Sequence, residues 1–580
     1  MNNATGYAIG KRFSIAVSFA LPLLVFADML AAFLLLDAVL PLKYLQFIDA
    51  LLTRLGRWPA GPALLLFPGW ALSIPVPGAH LTAPATPPRM LAWGETGLLL
   101  CTFLVVFLVY LLALRSLPRR ITPRYIFFST LFIGLVCVTI PVVTSSDVFS
   151  YIAYARMGVI YHLNPLTTLP VQIHSDPVYQ YIYWTNQPSA YGPVWVIISG
   201  ALQILVDAFG FKDIAAMILA LRLFGLAMHL GSTMLIWSIS GYLMGRNAPY
   251  LRGKRLLLTL AFAWNPLLLF EACVNAHNDA TVLFLLLLTL WLIVRKWSSQ
   301  RGVPTANLLL AAVLFALATC LKLNMAVLIP GFFLFVCLLP QRWRNIAGTA
   351  ITYMGVIVAL YLPFWQRGAV LNVLRVNPGT YRSANSLADF ATHLDSSLVI
   401  LSGHRFTNTL YLSTRHFFHT LSIAIFIGLF ALLCVWAIYR WRETRTPSGL
   451  IRWLATAWLF YCLVGSPWFW PWYIVTFFGL YALVEATTGS ERSPFRNVDV
   501  TGAVRLLAFS MLSLYCFATW ATDHVYIAHL SLFVWSYLGG LWIWLLPLLA
   551  LRLVRRRKLP GFLPFPRMLA PPDREQTLVS

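Results

Sequence analysis

The chain has 580 residues, 59% of them hydrophobic and 11% charged, with a mean hydropathy of +0.76, values outside the range of an ordinary soluble globular protein. Its formal charge of +23 comes from Lys and Arg clustered in short loops between oily runs. That is the positive-inside signature of a membrane protein, not the footprint of a nucleic-acid binder, so no nucleic-acid partner is expected.

Apolar runs long enough to cross about 30 Å of hydrocarbon, roughly 20 residues each, recur along almost the whole sequence. The expected fold is an all-α polytopic membrane protein. The first run, Phe13 to Leu40, is longer than a signal-peptide core and lacks a small-residue cleavage site, so it reads as a retained helix. The second spans Gly94 to Leu114 and the third Ile126 to Val143, separated by the basic loop "RSLPRRITPRY". Lys11, Arg12 and that loop belong on the cytoplasmic side, which puts the Pro-rich stretch after the first run, and the loop that begins at Thr144, outside.

Residues 1–125 are thus expected to form two N-terminal transmembrane helices with an external Pro-rich loop. Residues 126–553 form the main membrane domain, with one long external loop over 144–190 and a second over 366–416. Residues 554–580 form a basic cytoplasmic tail. Basic loops at 295–301, 341–344, 440–445, 491–496 and 552–558 continue the alternation and place both termini inside.

One stretch resists this scheme, because an odd number of crossings is needed between Tyr191 and the basic segment "RNAPYLRGKR". Either one segment lies along the interface or Asp213–Leu243 is a hairpin bent near Gly231. The resulting count is about 13 membrane helices. The eight cysteines sit in or beside apolar runs, with no CxxC and no His at ligand spacing, and read as small core residues; no metal site is expected.

Polar side chains concentrate in three of the external regions. In the first, Asp147, Tyr151, Tyr154 and Gly158 share one face of a helix, with Val148, Ile152 and Ala155 opposite. This predicts a helix lying in the membrane interface, ended by "HLNPL", where Pro165 disfavours helix at Asn164. Tyr179, Tyr181, Tyr183, Trp184, Tyr191 and Trp195 follow as an aromatic belt. The competing reading makes these rings anchors and Asp147 a helix cap.

In the second region Glu271, Asn275, Asn278 and Asp279 fall along one stripe at the outer end of a crossing, with His277 beside them. Carboxylates there need water, a partner or a substrate; the alternative is that they hold helices together. In the third, Lys322 interrupts an apolar stretch, and Arg375, Arg382, His393 and Arg405 occupy a long loop. These cations either snorkel to lipid phosphates or bind one anionic ligand.

A base, cations for an anionic leaving group and aromatic platforms are the needs of glycosyl transfer from a lipid phosphate. The segments that carry them, in order, are "SDVFSYIAYARMGVIYHLNPL" ending at Leu166, "AYGPVWVIISG" (Ala190 to Gly200), "NPLLLFEACVNAHNDA" (Asn265 to Ala280), "CLKLNMAVLIP" (Cys320 to Pro330) and "WPWYIVTFFGLYAL" (Trp470 to Leu483). Together they resemble the glycosyltransferase C superfamily, most closely the bacterial polyprenyl-phosphate-mannose-dependent α-(1→6)-mannosyltransferases.

The resemblance implies the glycosyltransferase C fold in the plasma (inner) membrane, with its active site on the extracytoplasmic face. It also implies a polyprenyl-phosphate sugar as donor and a glycan or lipid-linked saccharide as acceptor. Asp147 would be the base of an inverting transfer, with Lys322, Arg382 and His277 on the donor phosphate. Tyr151, Tyr154, Asn164, Tyr191, Glu271, Asn278, Asp279, Trp472 and Tyr473 would be substrate-binding. No cofactor is implied. The sequence departs from the family's DxD pattern because no second acid follows Asp147 at that spacing, and a single carboxylate holds a divalent cation poorly. The two helices before Ile126 lie outside the matching segments and receive no role.

Two rival readings remain at this level. A lipid-linked saccharide polymerase or ligase would depend on Arg and His of the second loop. A polyprenyl-lipid transporter or flippase would place ionisable groups mid-membrane, where Arg222 is the strongest candidate.

Overall fold

The computed structural model describes residues 20–36, 89–118, 120–140, 145–211, 214–245, 251–372, 383–403, 407–487, 498–523 and 540–555. These residues form α-helices joined by short 3-10 and π turns, and the extended contacts among them are two isolated bridges. In chain order the helices are α1 (Ala20–Leu36), α2 (Arg89–Ser116), α3 (Pro123–Thr139), α4 (Asp147–Val159), α5 (Pro193–Ala208), α6 (Ile214–Met244), α7 (Arg252–Ala263) and the short α8 (Pro266–Leu269). They continue with α9 (Asp279–Lys296), α10 (Thr305–Leu321), α11 (Ile329–Cys337), α12 (Arg342–Tyr361), α13 (Leu387–Leu401), α14 (Asn408–Tyr439), α15 (Pro447–Phe460), α16 (Val475–Thr487), α17 (Val498–Asp523) and α18 (Gly540–Arg555).

Local signals set several boundaries. The Thr122 side chain caps α3 by accepting from the Tyr125 amide, with Pro123 in the first turn. Asn265 and Pro266 do the same for α8, and Thr446 with Pro447 for α15.

Among the described residues five helices are long and apolar enough to cross a membrane, and a sixth span arises if α7 and the segment Pro266–Val274, bent by 45°, are taken together. Seven further apolar helices have 10–17 residues. These lengths support an all-α membrane protein and do not establish a count of 13. Helix α6 runs unbroken through Gly231 for 31 residues, so the hairpin once allowed there does not occur. The continuous helix forms because the Gly231 face packs on Phe284 of α9, with no proline in the segment to break it. Helix α5 is the shorter partner, and it exposes Ile204, Leu205 and Phe209, as an interface-lying segment does.

Helices α12 and α14 present Ile351, Met354, Val358, Leu412, Phe417 and Ile427 outward. An outward apolar surface of this kind is stable only against lipid. The two N-terminal helices are part of the main body. Phe26 of α1 meets Phe132 and Trp264, Phe103 of α2 stands edge-on to Phe270 at 5.6 Å, and Phe107 packs on Phe509 of α17. The Pro-rich loop and the basic tail beyond residue 555 lie outside the described residues.

Candidate active site

The site is assembled by three local devices. The first is the hairpin of α9 and α10. Their 18 and 17 residues give nearly equal lengths of about 26 Å at 1.5 Å per residue. The turn between them is closed by paired Ser298–Gly302 backbone bonds. The chain therefore returns to its starting level, and Lys322, just past the end of α10, donates to both oxygens of Asp279 at 2.9 and 2.7 Å.

The second device is Gly192. Its amide donates to Leu321 O at 3.1 Å, and a Cβ at this position would lie 1.9 Å from Cys320 O. Only glycine lets the two backbones approach this closely. The contact fixes Tyr191 beside Lys322, and Tyr191 donates to Asp147 Oδ2 at 3.1 Å.

The third is the break after α8. A π turn over Phe270–Val274 and a left-handed Ala276 at φ 54° end the helix. The His277 amide folds back onto Glu271 O at 2.8 Å. His277 Nδ1 then lies 3.8 Å from Asp147 Oδ2 and 3.4 Å from the Tyr151 hydroxyl.

Asp147 opens α4 behind Ser146, whose side chain makes no capping bond. The Asp147 carboxylate turns away from the helix end toward Tyr191, so it is not a cap. It lines a cavity of about 890 Å³. The cavity is shared with Ser146, Ser150, Tyr154, Trp184, Gln187, Tyr191, Lys322, Asn324, Arg415, Tyr461, Trp468, Trp470, Trp472 and Tyr473. Asp147 and Lys322, distant in sequence, thus face one space. Lys322 lies 4.7 Å from the centre of the Tyr473 ring.

Burial pushes the Asp147 pKa up to about 6, against the opposing pull of the Tyr191 hydrogen bond and the Lys322 charge, with Asp279 adding a smaller upward push. Burial, and then the Lys322 charge, hold His277 well below its ordinary value.

Several sequence expectations are corrected here. Helix α4 is enclosed by protein and does not lie exposed in the interface. Val148 and Ile152 on one side are as buried as Tyr151 and Tyr154 on the other, because α5 and the 3-10 turns of the same loop pack over it. Tyr154 and Tyr191 reach the cavity, whereas Tyr151 lies beneath it against His277. Asn164 is away from the cavity and ties two loops together: its Nδ2 donates to Phe364 O and its Oδ1 accepts from the Leu166 amide.

Glu271 and Asn278 are 1% and 0% exposed and do not line the cavity. The π turn rotates Glu271 toward α17, where Tyr515 donates to it at 2.6 Å. Asp279 is buried and meets Lys322. His277 is buried and does not line the cavity, and burial with the Lys322 charge disfavours its protonation, which argues against the phosphate cation expected. Trp472 is buried and stacked on by His277 at 4.1 Å and by Trp470 at 5.3 Å and 4°. It therefore offers a sugar no open platform, while Tyr473 lines the cavity beside it. Arg382 lies outside the described residues, as do Arg375 and Arg405.

Two residues of the rival readings are tied to neighbouring groups. Arg222 donates to Val138 O at 2.8 Å and also to Ile140 O, holding the end of α3. His393 lies 3.5 Å from Asp389 on its own helix.

Sequence reasoning missed Arg415, Trp468 and Tyr461 as lining residues. The tryptophans carried a signal: Trp468 and Trp470 alternate with Phe469 in an extended segment that pairs with Ala384, so they share the cavity side while Phe469 is fully buried. Arg415 carried the weaker signal of a cation in the first turns of the otherwise oily α14. Among the described residues no group of three or more His, Cys, Asp or Glu side chains converges to hold a metal ion.

Residues 63–338 match the family described as "Alpha-(1->6)-mannopyranosyltransferase, N-terminal domain". The match covers Asp147, His277, Asp279 and Lys322, and it supports the mannosyltransferase resemblance drawn from the sequence. No curated protein matches the chain.

Proposed function

We propose that the protein moves a mannosyl unit from a polyprenyl-phosphate donor to a glycan or lipid-linked saccharide acceptor at the extracytoplasmic face of the membrane. The observation that carries this reading is the Asp147 carboxylate, held by Tyr191 at 3.1 Å in a cavity of about 890 Å³ that Lys322 and Arg415 also line. The mannosyltransferase family match adds the sugar and the reaction class.

In this reading the acceptor hydroxyl hydrogen-bonds to Asp147. The carboxylate takes its proton as the new C–O bond forms at the anomeric carbon, and the electron pair of the breaking bond leaves with the lipid phosphate from the opposite side, so the configuration inverts. Arg415 is the proposed phosphate partner, because helix α14 carries it between the cavity and a lipid-facing apolar surface. Lys322 sets the local field and the position of Tyr473. Trp184 and Trp468, packed edge to face with ring centres 6.0 Å apart, line the same cavity and present apolar ring surface suited to contact with sugar C–H groups.

The test compares wild type with Asp147→Asn in lipid, using polyprenyl-phosphate-mannose and a short mannoside. Transfer is expected to fall by at least about 10²-fold in the variant. Equal transfer by both proteins refutes the base, and transfer by neither refutes the donor class.

A further inference from the structure

A buried polar chain stands behind Asp147, outside the cavity, and the transfer chemistry leaves it unused. Tyr515 donates to Glu271 Oε1 at 2.6 Å, and Asn275 Nδ2 donates to Glu271 Oε2 at 3.0 Å. Oε2 lies 3.6 Å from His277 Nε2, and the opposite ring nitrogen lies 3.8 Å from Asp147 Oδ2. Both Glu271 and His277 are 1% exposed. The structural cost of the arrangement is visible in the π turn and in the left-handed Ala276, devices that concentrate at working sites. The ring plane is fixed by the Trp472 stack at 19°.

The hydrogen-bonding partners of Glu271 are a phenol and an amide, with a neutral imidazole facing its Oε2. An ionised carboxylate buried among such groups is costly, and the group takes up a proton instead. A protonated Oε2 has one hydrogen to offer, and the nitrogen facing it, His277 Nε2, is buried and makes no hydrogen bond. With Nε2 accepting, the ring carries its own hydrogen on Nδ1, the atom that faces Asp147 and Tyr151.

We propose that Glu271, as a neutral carboxylic acid, and His277 form a positioning pair whose Nδ1–H, between the Tyr151 hydroxyl at 3.4 Å and Asp147 Oδ2 at 3.8 Å, moves onto Oδ2 when the acceptor binds and leaves Oδ1 for the acceptor hydroxyl. The proposal rests on Asp147 being the base. Tyr191 supplies the second donor to the same oxygen, so the carboxylate is pinned on one side and open on the other. In the proposal the 3.8 Å gap closes as acceptor binding seats Asp147, as hydrogen bonds in unliganded sites commonly do, and a small turn of the Glu271 carboxyl closes the 3.6 Å gap. The titratable and charged groups around the pair are Asp147 and Tyr151 from α4, Tyr191 ahead of α5, Asp279 from α9, Lys322 after α10, Tyr473 beside Trp472, and Tyr515 from α17.

The test uses the full chain in lipid bilayers. Glu271→Gln keeps an acceptor for Tyr515 and a donor for Nε2, and a turn of the Asn275 amide, whose Nδ2 now meets Oε2, offers its oxygen to the new NH2 group, so transfer is expected to stay within about threefold of wild type. Glu271→Leu, which offers neither, is expected to lower kcat by about tenfold or more with KM unchanged. His277→Phe keeps the stack on Trp472 and removes the N–H. A hydrogen bond to the charged form lowers a carboxyl pKa, so its loss moves the acid limb of transfer upward, by about one pH unit; a merely structural residue would lower kcat and leave the limb in place.

A readout independent of substrate is infrared spectroscopy, where the wild type should show a buried carboxylic-acid C=O band that Glu271→Gln removes. The proposal is overturned if that band is absent at pH 7, if Glu271→Gln falls to the level of Asp147→Asn, or if His277→Phe leaves the limb unmoved. If the band is present and wild type transfers no mannose, the neutral Glu271 stands and the proposed reaction is what fails.

Discussion

Replacing Lys322 by Met tests whether the Lys322–Asp279 pair is a structural unit. The ammonium lies 2.7 Å from Asp279 Oδ2, and the two side chains are 12% and 1% exposed. At that distance and an effective dielectric constant of about 20, the attraction is about 6 kcal/mol. Removing both ions from water costs several kcal/mol for each, so the intact pair contributes little net stability. Breaking it is different, because Asp279 remains buried with its partner gone, at a cost of about 3–5 kcal/mol.

Lys322→Met is therefore expected to destabilise strongly, and the double variant Lys322→Met/Asp279→Leu to recover most of the loss. The assay is equilibrium unfolding in detergent alongside mannosyl transfer. If Lys322 also sets the field at the cavity, the double variant is folded and still slow. A loss below about 1 kcal/mol in the single variant, the size expected of an exposed pair, would refute the argument that the pair is sealed from water.

Asp147 has a raised pKa of about 6, so transfer should rise with pH through about 6 as the base ionises, read from a pH–rate profile. The same shift carries a stability consequence: the folded state binds this proton more tightly than the unfolded chain does. The contribution, about 2–3 kcal/mol, is full below pH 3.8 and lost as pH rises through about 6. Asp147→Asn should accordingly unfold at a higher temperature than wild type at pH 8 while failing to transfer.

Gly192→Ala places a methyl 1.9 Å from Cys320 O at an ordinary backbone φ of −75°. The cost is thus purely steric, about 1–3 kcal/mol, and transfer should fall as Tyr191 is pushed off Asp147. Arg415→Gln should raise the KM for the lipid donor about tenfold or more, the worth of a hydrogen bond to a charged group, with the acceptor KM unchanged.

The all-α membrane class was legible from composition and run length alone, because crossing hydrocarbon requires continuous apolar helix whatever the tertiary arrangement. That the neighbourhoods of Asp147, Glu271 to Asp279 and Lys322 form a candidate site was legible for a related reason: polar groups are expensive in an oily chain, so their clustering points to a site, and the structure brings the three together. The roles of individual side chains were not. Glu271 and Asn278 lay on a helical stripe, and the family resemblance implied that they bind substrate, but the π turn after Leu269 adds a backbone step that no spacing rule registers. It turns them into the protein.

Trp472 was likewise implied to bind substrate, and only packing reveals the rings of His277 and Trp470 stacked on it. Sequence alone pointed to a membrane protein and to the short segments where its polar groups gather, since both follow from the local free energy of placing residues in oil or water. The tertiary structure decided which of those residues meet the cavity and which stand behind it. That choice depends on contacts between segments far apart in the chain: Gly192 against Cys320, Lys322 against Asp279, and His277 against Asp147.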